Sequence, residues 1–170
     1  MNVVVVKKVR CSFTQRQIQT LLEKIIADLM RFRKLKKHVR TRLASAQELT
    51  VVFAGAMVSR KLNFKYRSRD YATDVLSFAS SEESSLGDLV FCVPVLQRQA
   101  RDHQLTMQSE FIYLLIHGIL HLLGYDHEKN DSQAQAMYSL QDRIFARLHV
   151  HNNRTVRHQK SAKKPTSARL

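Results

Sequence analysis

The sequence predicts an α/β (α+β) domain, a small mixed β-sheet packed with helices. Three observations predict it. Short runs rich in β-branched residues alternate with longer stretches of helical period. Two strand-like runs, Val75–Phe78 and Leu89–Val93, follow one another with the polar segment Ser80–Ser85 between them, close enough to pair antiparallel in an otherwise crossover-connected sheet. The length, 170 residues, and the apolar share, 44%, suit one domain with a self-sufficient core.

Val3–Val9 reads as the first strand. Thr14 suits an N-cap for a helix whose apolar face is Ile18, Leu21, Leu22, Ile25, Ile26, Leu29 and Met30. That helix is expected to run on into Arg31–Arg42, where Arg31, Arg33, Lys34, Lys36, Lys37, Arg40 and Arg42 stand without an acidic residue. Cations suit a helix C-terminus, but this density exceeds what a dipole needs, so the seven are candidates for a phosphate-binding patch. Leu49–Phe53 is the second strand, and Gly55–Tyr66 a helix expected to turn Met57, Val58, Leu62 and Tyr66 inward. Pro94 opens a helix over Val95–His103. Met107–Leu123 is the next helix, and Asp131 or Ser132 caps a last one with Met137, Leu140, Ile144, Phe145 and Leu148 on one side. After Val150 the chain is basic and nearly free of large apolar residues. Residues 151–170 are therefore expected to be a disordered tail that contacts phosphates, and 1–150 the folded domain.

The net charge of +14 implies a polyanionic partner, nucleic acid first. No apolar run spans a bilayer and no basic amphipathic helix suits a membrane surface. A signal-peptide pattern is absent, and the only two cysteines, Cys11 and Cys92, fit reduced thiols. The expectation is a soluble, unprocessed, cytoplasmic protein.

His117-Gly-Ile-Leu-His121-Leu-Leu-Gly124-Tyr-Asp-His127 carries the chemistry. Residues i and i+4 share a helix face, so His117 and His121 point the same way. Gly124 falls where a helix ends at positive φ, and a reversal there swings His127 back toward the pair. Three converging imidazoles are a zinc set with a fourth position left open. The spacing matches the metzincin protease motif H-E-x-x-H-x-x-G-x-x-H, but Gly118 replaces the glutamate that serves those enzymes as base. The pattern supports a metal hydrolase and counts against an ordinary protease.

Asn63-Phe-Lys-Tyr-Arg67, Asp70, Thr73-Asp-Val-Leu-Ser-Phe78, Leu86-Gly-Asp-Leu-Val90 and the histidine stretch, in this order, resemble the YbeY endoribonuclease and rRNA maturation factor family over roughly residues 1–150. The resemblance implies a zincin-like fold and one Zn2+ on His117, His121 and His127. It implies single-strand-specific endoribonuclease activity in ribosomal RNA maturation (16S rRNA processing) and ribosome quality control. Its partners are then ribosomal RNA and the small subunit, with ribosomal proteins or assembly GTPases as further candidates, and no membrane. It gives Arg67 the catalytic role. The family often carries lysine at the position of Arg69 and proline at those of Ala72 and Ala79, so the loop after Arg67 departs from its pattern.

The residues themselves support part of this. Asn63 and Arg67 are spaced i, i+4, so one helix face would present an amide beside a guanidinium fork suited to phosphate. Asp74 and Asp126 are candidates to orient Arg67 or a ligand histidine, or to touch substrate. No general base stands out, and the attacking group is either water or the 2′-hydroxyl of RNA. Two other classes stay open: a zinc hydrolase of another bond, metalloprotease-like, and a non-catalytic ribosome-assembly factor with structural zinc.

Overall fold

A computed structural model describes the backbone of residues 1–161 and the side chains of residues 1–148. The elements are β1 Asn2–Lys7, α1 Gln15–Met30, α2 Lys37–Ser45, β2 Glu48–Ala54, α3 Ala56–Arg67, β3 Val75–Ala79, β4 Ser85–Cys92, α4 Val93–Asp102, α5 Met107–Leu122 and α6 Asp131–Ser161. The four strands form one mixed sheet in the order β1-β2-β4-β3. β1 runs parallel to β2 with Val5 beside Val51, and β2 parallel to β4 with Phe53 beside Phe91. β3 is an antiparallel edge strand, Ser77 facing Leu89. The mixed sheet expected from the short Val75–Val93 spacing is what forms.

Strand alternation divides the core between two faces. Leu49, Val51, Phe53, Leu89 and Phe91 point to the side where α1 and α5 pack, and there Phe13 stacks on Phe111 with ring centroids 4.2 Å apart. Ala54, Leu76 and Val90 point the other way, against Leu62 of α3. α5 is the central helix: Phe111, Leu115, Ile116, Ile119 and Leu120 are all fully buried. It packs on β3 and β4 and is flanked by α4 and α6.

Thr14 is the N-cap of α1, in a capping box with Gln17. Two expectations need correction. First, α1 does not continue through the basic run. It stops at Met30, and α2 is a separate helix. The Arg40 guanidinium braces the break: it donates at 3.0 Å to the Met30 carbonyl, which α1 leaves without a helical partner, and at 2.8 Å to the Phe32 carbonyl of the turn that follows. Second, Met57, Val58 and Tyr66 of α3 face outward; the buried face is Ser59 and Asn63. The sheet face beneath α3 is small, so two polar side chains that hold the following loop take the inward positions. The last helix, α6, crosses the compositional boundary at Val150, its backbone helical to Ser161. The rest of the expected tail, residues 162–170, lies outside the described residues. No helix among the described residues is long and apolar enough to cross a membrane.

Candidate metal centre and cleft

α5 ends in a Schellman turn. Leu123 is the cap, the Gly124 N–H donates to the His121 carbonyl at 2.9 Å and the Tyr125 N–H to the Leu120 carbonyl at 3.0 Å. Gly124 sits at φ +84°, the left-handed region that a side chain disfavours. The reversal brings His127 back over the helix face. The ring centroids of His117, His121 and His127 lie 4.6, 5.2 and 5.1 Å apart pairwise. One ligand atom from each falls within 4.8 Å of the others, and no further His, Cys or carboxylate joins the group among the described residues.

The donor set fits a metal ion. Nε2 of His117 and Nε2 of His121 face each other at 3.1 Å. Tetrahedral zinc with Zn–N near 2.0–2.1 Å holds ligand nitrogens roughly 3.3 Å apart. Nδ1 of His117 donates to the Gln141 Oε1 carbonyl at 3.0 Å, which leaves its Nε2 lone pair for the common point. Burial, first, and the neighbouring histidines push the His121 imidazole down to about 4. Burial lowers His117 as well, against the opposing effect of its hydrogen bond to Gln141. Both rings are thus kept neutral, the ligand form.

Gly118 occupies the place of the metzincin glutamate, and the packing explains the glycine. A Cβ there would meet Cδ2 of the buried Leu89 at 2.7 Å and Oγ of Ser77 at 3.4 Å. That position faces the sheet rather than the open side of the centre.

The three histidines floor a cleft of about 330 Å³ whose walls include Arg67, Arg69, Asp74, Ser77, Gln99, His103, Glu110, Glu128 and Tyr138. Arg67 comes from the last turn of α3. Its positive charge lowers the pKa of both His117 and His121, so it stands within electrostatic reach of the centre. Among the described residues its guanidinium has no hydrogen-bond or ion-pair partner.

The other predicted residues divide. Asp74 lines the cleft, but its hydrogen bonds come from Thr73 Oγ1, the Val75 N–H at 2.7 Å and Gln99 Nε2 at 2.9 Å, not from Arg67 or a histidine. Asn63 does not share an exposed face with Arg67. It is fully buried, and its Nδ2 donates to the Tyr71 carbonyl at 2.8 Å, anchoring the loop that follows Arg67. Asp126 Oδ1 accepts from the Glu128 N–H at 2.9 Å, a local turn that shapes the His127 loop. That backbone hydrogen bond, first, holds its carboxyl below the ordinary range. Arg31, Arg33, Lys34, Lys36 and Lys37 lie at the α1–α2 junction and are not among the residues that line the cleft. Arg40 and Arg42 are engaged structurally, Arg42 donating to the Ser80, Glu82 and Ser85 carbonyls of the β3–β4 connection.

Sequence reasoning missed Gln141, and a signal was there: it is a polar residue at helical spacing within the apolar stripe Met137, Leu140, Ile144 and Leu148. It also missed the pair His103–Glu110, in which Nδ1 lies 2.9 Å from Oε2 of the buried Glu110. The hydrogen bond, then the charge of Glu110, raises the His103 pKa. Nothing local signals this pair, because it joins the end of α4 to the start of α5.

A mixed sheet backs a helix that presents two histidines, with a third on its C-terminal turn and an arginine lining the same cleft, and this set fits a metal-site hydrolase. The family described as Endoribonuclease YbeY matches residues 4–149, and the chain belongs to it. A relative from Bdellovibrio bacteriovorus named Endoribonuclease YbeY is 42% identical over 145 residues, covering 85% of this chain and 93% of its own. One of the same name from Acinetobacter baumannii is 38% identical over 133 residues, 70% of this chain and 84% of its own. The solution structure of TM1509 from Thermotoga maritima superposes with a TM-score of 0.55 at 25% identity, covering 98% of this chain and 99% of that one.

Proposed function

We propose that this protein is a zinc-dependent endoribonuclease that cuts single-stranded segments of ribosomal RNA, serving 16S rRNA maturation and ribosome quality control in the cytoplasm. The observation that carries the reading is the Arg67 guanidinium, unpartnered among the described residues, on the wall of a cleft floored by His117, His121 and His127. Those three histidines would hold the ion. Zinc bound there supplies a Lewis acid that polarises a phosphoryl oxygen and lowers the pKa of water to about 7.

The chain's own residues do the rest. Gln141 holds the Nδ1 proton of His117 and so fixes the ring with Nε2 inward. Arg67 offers a planar fork of donors to phosphoryl oxygens, where negative charge grows as the phosphodiester is attacked. Arg69, at the same wall, is braced by Glu128 at 3.4 Å and extends the positive lining toward the flanking backbone. The net charge of +14 favours encounter with a polyanion. Ribosomal RNA in the small subunit is the proposed substrate, with ribosomal proteins or assembly GTPases as proposed partners.

Gly118 packed on Leu89 leaves no carboxylate where a metzincin-type peptidase needs one, and the absence of a fourth protein ligand among the described residues speaks against a purely structural ion. The test is cleavage of single-stranded ribosomal RNA fragments by metal-stripped protein with and without added zinc. Activity that returns with zinc supports the proposal. Equal activity in both arms contradicts it.

A further inference from the structure

α3 and the loop after it carry aromatic rings that stand largely exposed. Phe64 is 60% exposed and Tyr71 53%. Tyr66 is different, since its ring meets Phe78 edge-on at 5.0 Å and Lys65 lies over it. A single exposed aromatic needs no explanation. These two stand among Arg60, Lys61, Lys65, Arg67 and Arg69, with Asp70 the only acidic residue between Gly55 and Thr73.

Their placement follows from contacts already fixed. Phe64 precedes Arg67 by three residues, so the two are neighbours on the helix surface. The loop folds back along α3: Asp70 accepts from Arg60 at 2.6 and 2.7 Å, and Asn63, adjacent to Phe64, holds the Tyr71 carbonyl. The Tyr71 hydroxyl lies 3.4 Å from Arg69 Nη1. Arg67 and Arg69 both line the metal cleft. The exposed rings therefore flank the two cations that border the cleft.

We propose that Phe64 and Tyr71 form a base-stacking site for single-stranded RNA, holding nucleotides next to the phosphate that enters the cleft. The site rests on the endoribonuclease reading and adds residues to it. Every unpaired base offers a π-face, and a cationic surface draws the backbone that carries it, so rings among guanidinium and ammonium groups match an unpaired strand. Bases in a duplex are already stacked on one another and cannot reach these rings. The platform thus selects strand state without reading sequence.

The experiment measures binding of the full chain by fluorescence anisotropy to three short probes: a cleavage-resistant 2′-O-methyl phosphorothioate oligoadenylate, an abasic strand of equal length, and a duplex. Phe64→Ala and Tyr71→Ala should each weaken oligoadenylate binding roughly 5- to 100-fold. Abasic and duplex binding should not change, and Phe64→Trp should retain the affinity. Unchanged oligoadenylate binding overturns the proposal and leaves the patch to a protein partner. An equal loss on the abasic strand also overturns it. If the unaltered protein binds no single strand, the endoribonuclease reading falls with it, whereas RNA binding indifferent to both aromatics removes only the stacking site.

Discussion

The two walls of the cleft are built in opposite ways. The metal wall is local: His117, His121, Gly124 and His127 follow one another within a helix and its terminal turn, and their spacing alone sets most of the geometry. The arginine wall is assembled from a helix end, the loop that folds back along it and one contact to the histidine loop. Arg67 ends α3, and the loop after it is pinned by Asn63 to Tyr71, Arg60 to Asp70 and Arg69 to Glu128 of the histidine loop. A local wall tolerates change elsewhere in the fold, while an assembled wall depends on each pin. Damage to the metal wall should therefore remove the ion. Damage to the arginine wall should leave the ion and remove the use made of it.

The largest effect that could break this contrast is at the ligands. His121→Ala should lose stoichiometric metal, measured by elemental analysis, and lose RNA cleavage with it, while the circular dichroism of the fold survives. Full metal content in that variant would mean the ion sits elsewhere. Next in size is Gln141→Leu. It keeps the apolar packing of α6 and removes the acceptor for His117, so metal affinity should drop about 10- to 100-fold in a competition titration with a chelator. An unchanged affinity would make the metal wall self-sufficient within α5 and its turn.

The contrast also explains what was legible in the sequence. Periodicity and Gly124 were enough for the convergence of the histidines, and the short Val75–Val93 interval for the antiparallel edge. The mixed sheet followed from local signals. What is not legible is which partner folds back on each polar side chain. Asn63 was paired with Arg67 by helical spacing, yet it is buried under its own loop, because a main-chain carbonyl eight residues on claims its amide. Charge density marks Arg40 and Arg42 as cations but does not show that their guanidiniums donate to the Met30 and Phe32 carbonyls and to carbonyls of the β3–β4 connection. Gln141 and Glu110 show the same limit from the other side, as partners from one helix to a residue of another.

Smaller effects sharpen the comparison. Asn63→Ala removes a buried hydrogen bond and leaves the Tyr71 carbonyl without it, so stability should fall by about 1–3 kcal/mol in denaturant unfolding. Metal content should hold, because the metal wall does not use that loop. Loss of metal would join the two walls. The smallest effect is at His103. Its hydrogen bond to Glu110, with the charges of Glu110 and Asp102, raises its pKa above the ordinary 6.5. The raised folded value means that the pair's contribution to stability is fully present below about 6.5 and is lost as pH rises through the folded pKa. An NMR titration should place the His103 midpoint above 6.5, and Glu110→Gln should bring it back down. An unshifted midpoint would dissolve the pair.

The most direct measurement uses Arg67→Ala prepared metal-free, reloaded with zinc, and assayed for both bound metal and cleavage of single-stranded ribosomal RNA. The separable walls predict one zinc per chain, as in the unaltered protein, with cleavage reduced roughly 100- to 1,000-fold, the usual cost of removing a donor to developing charge. Arg67→Lys should recover part of that loss, since a point charge does not copy the planar fork. Cleavage at the unaltered rate, or loss of the zinc together with the arginine, would contradict the account.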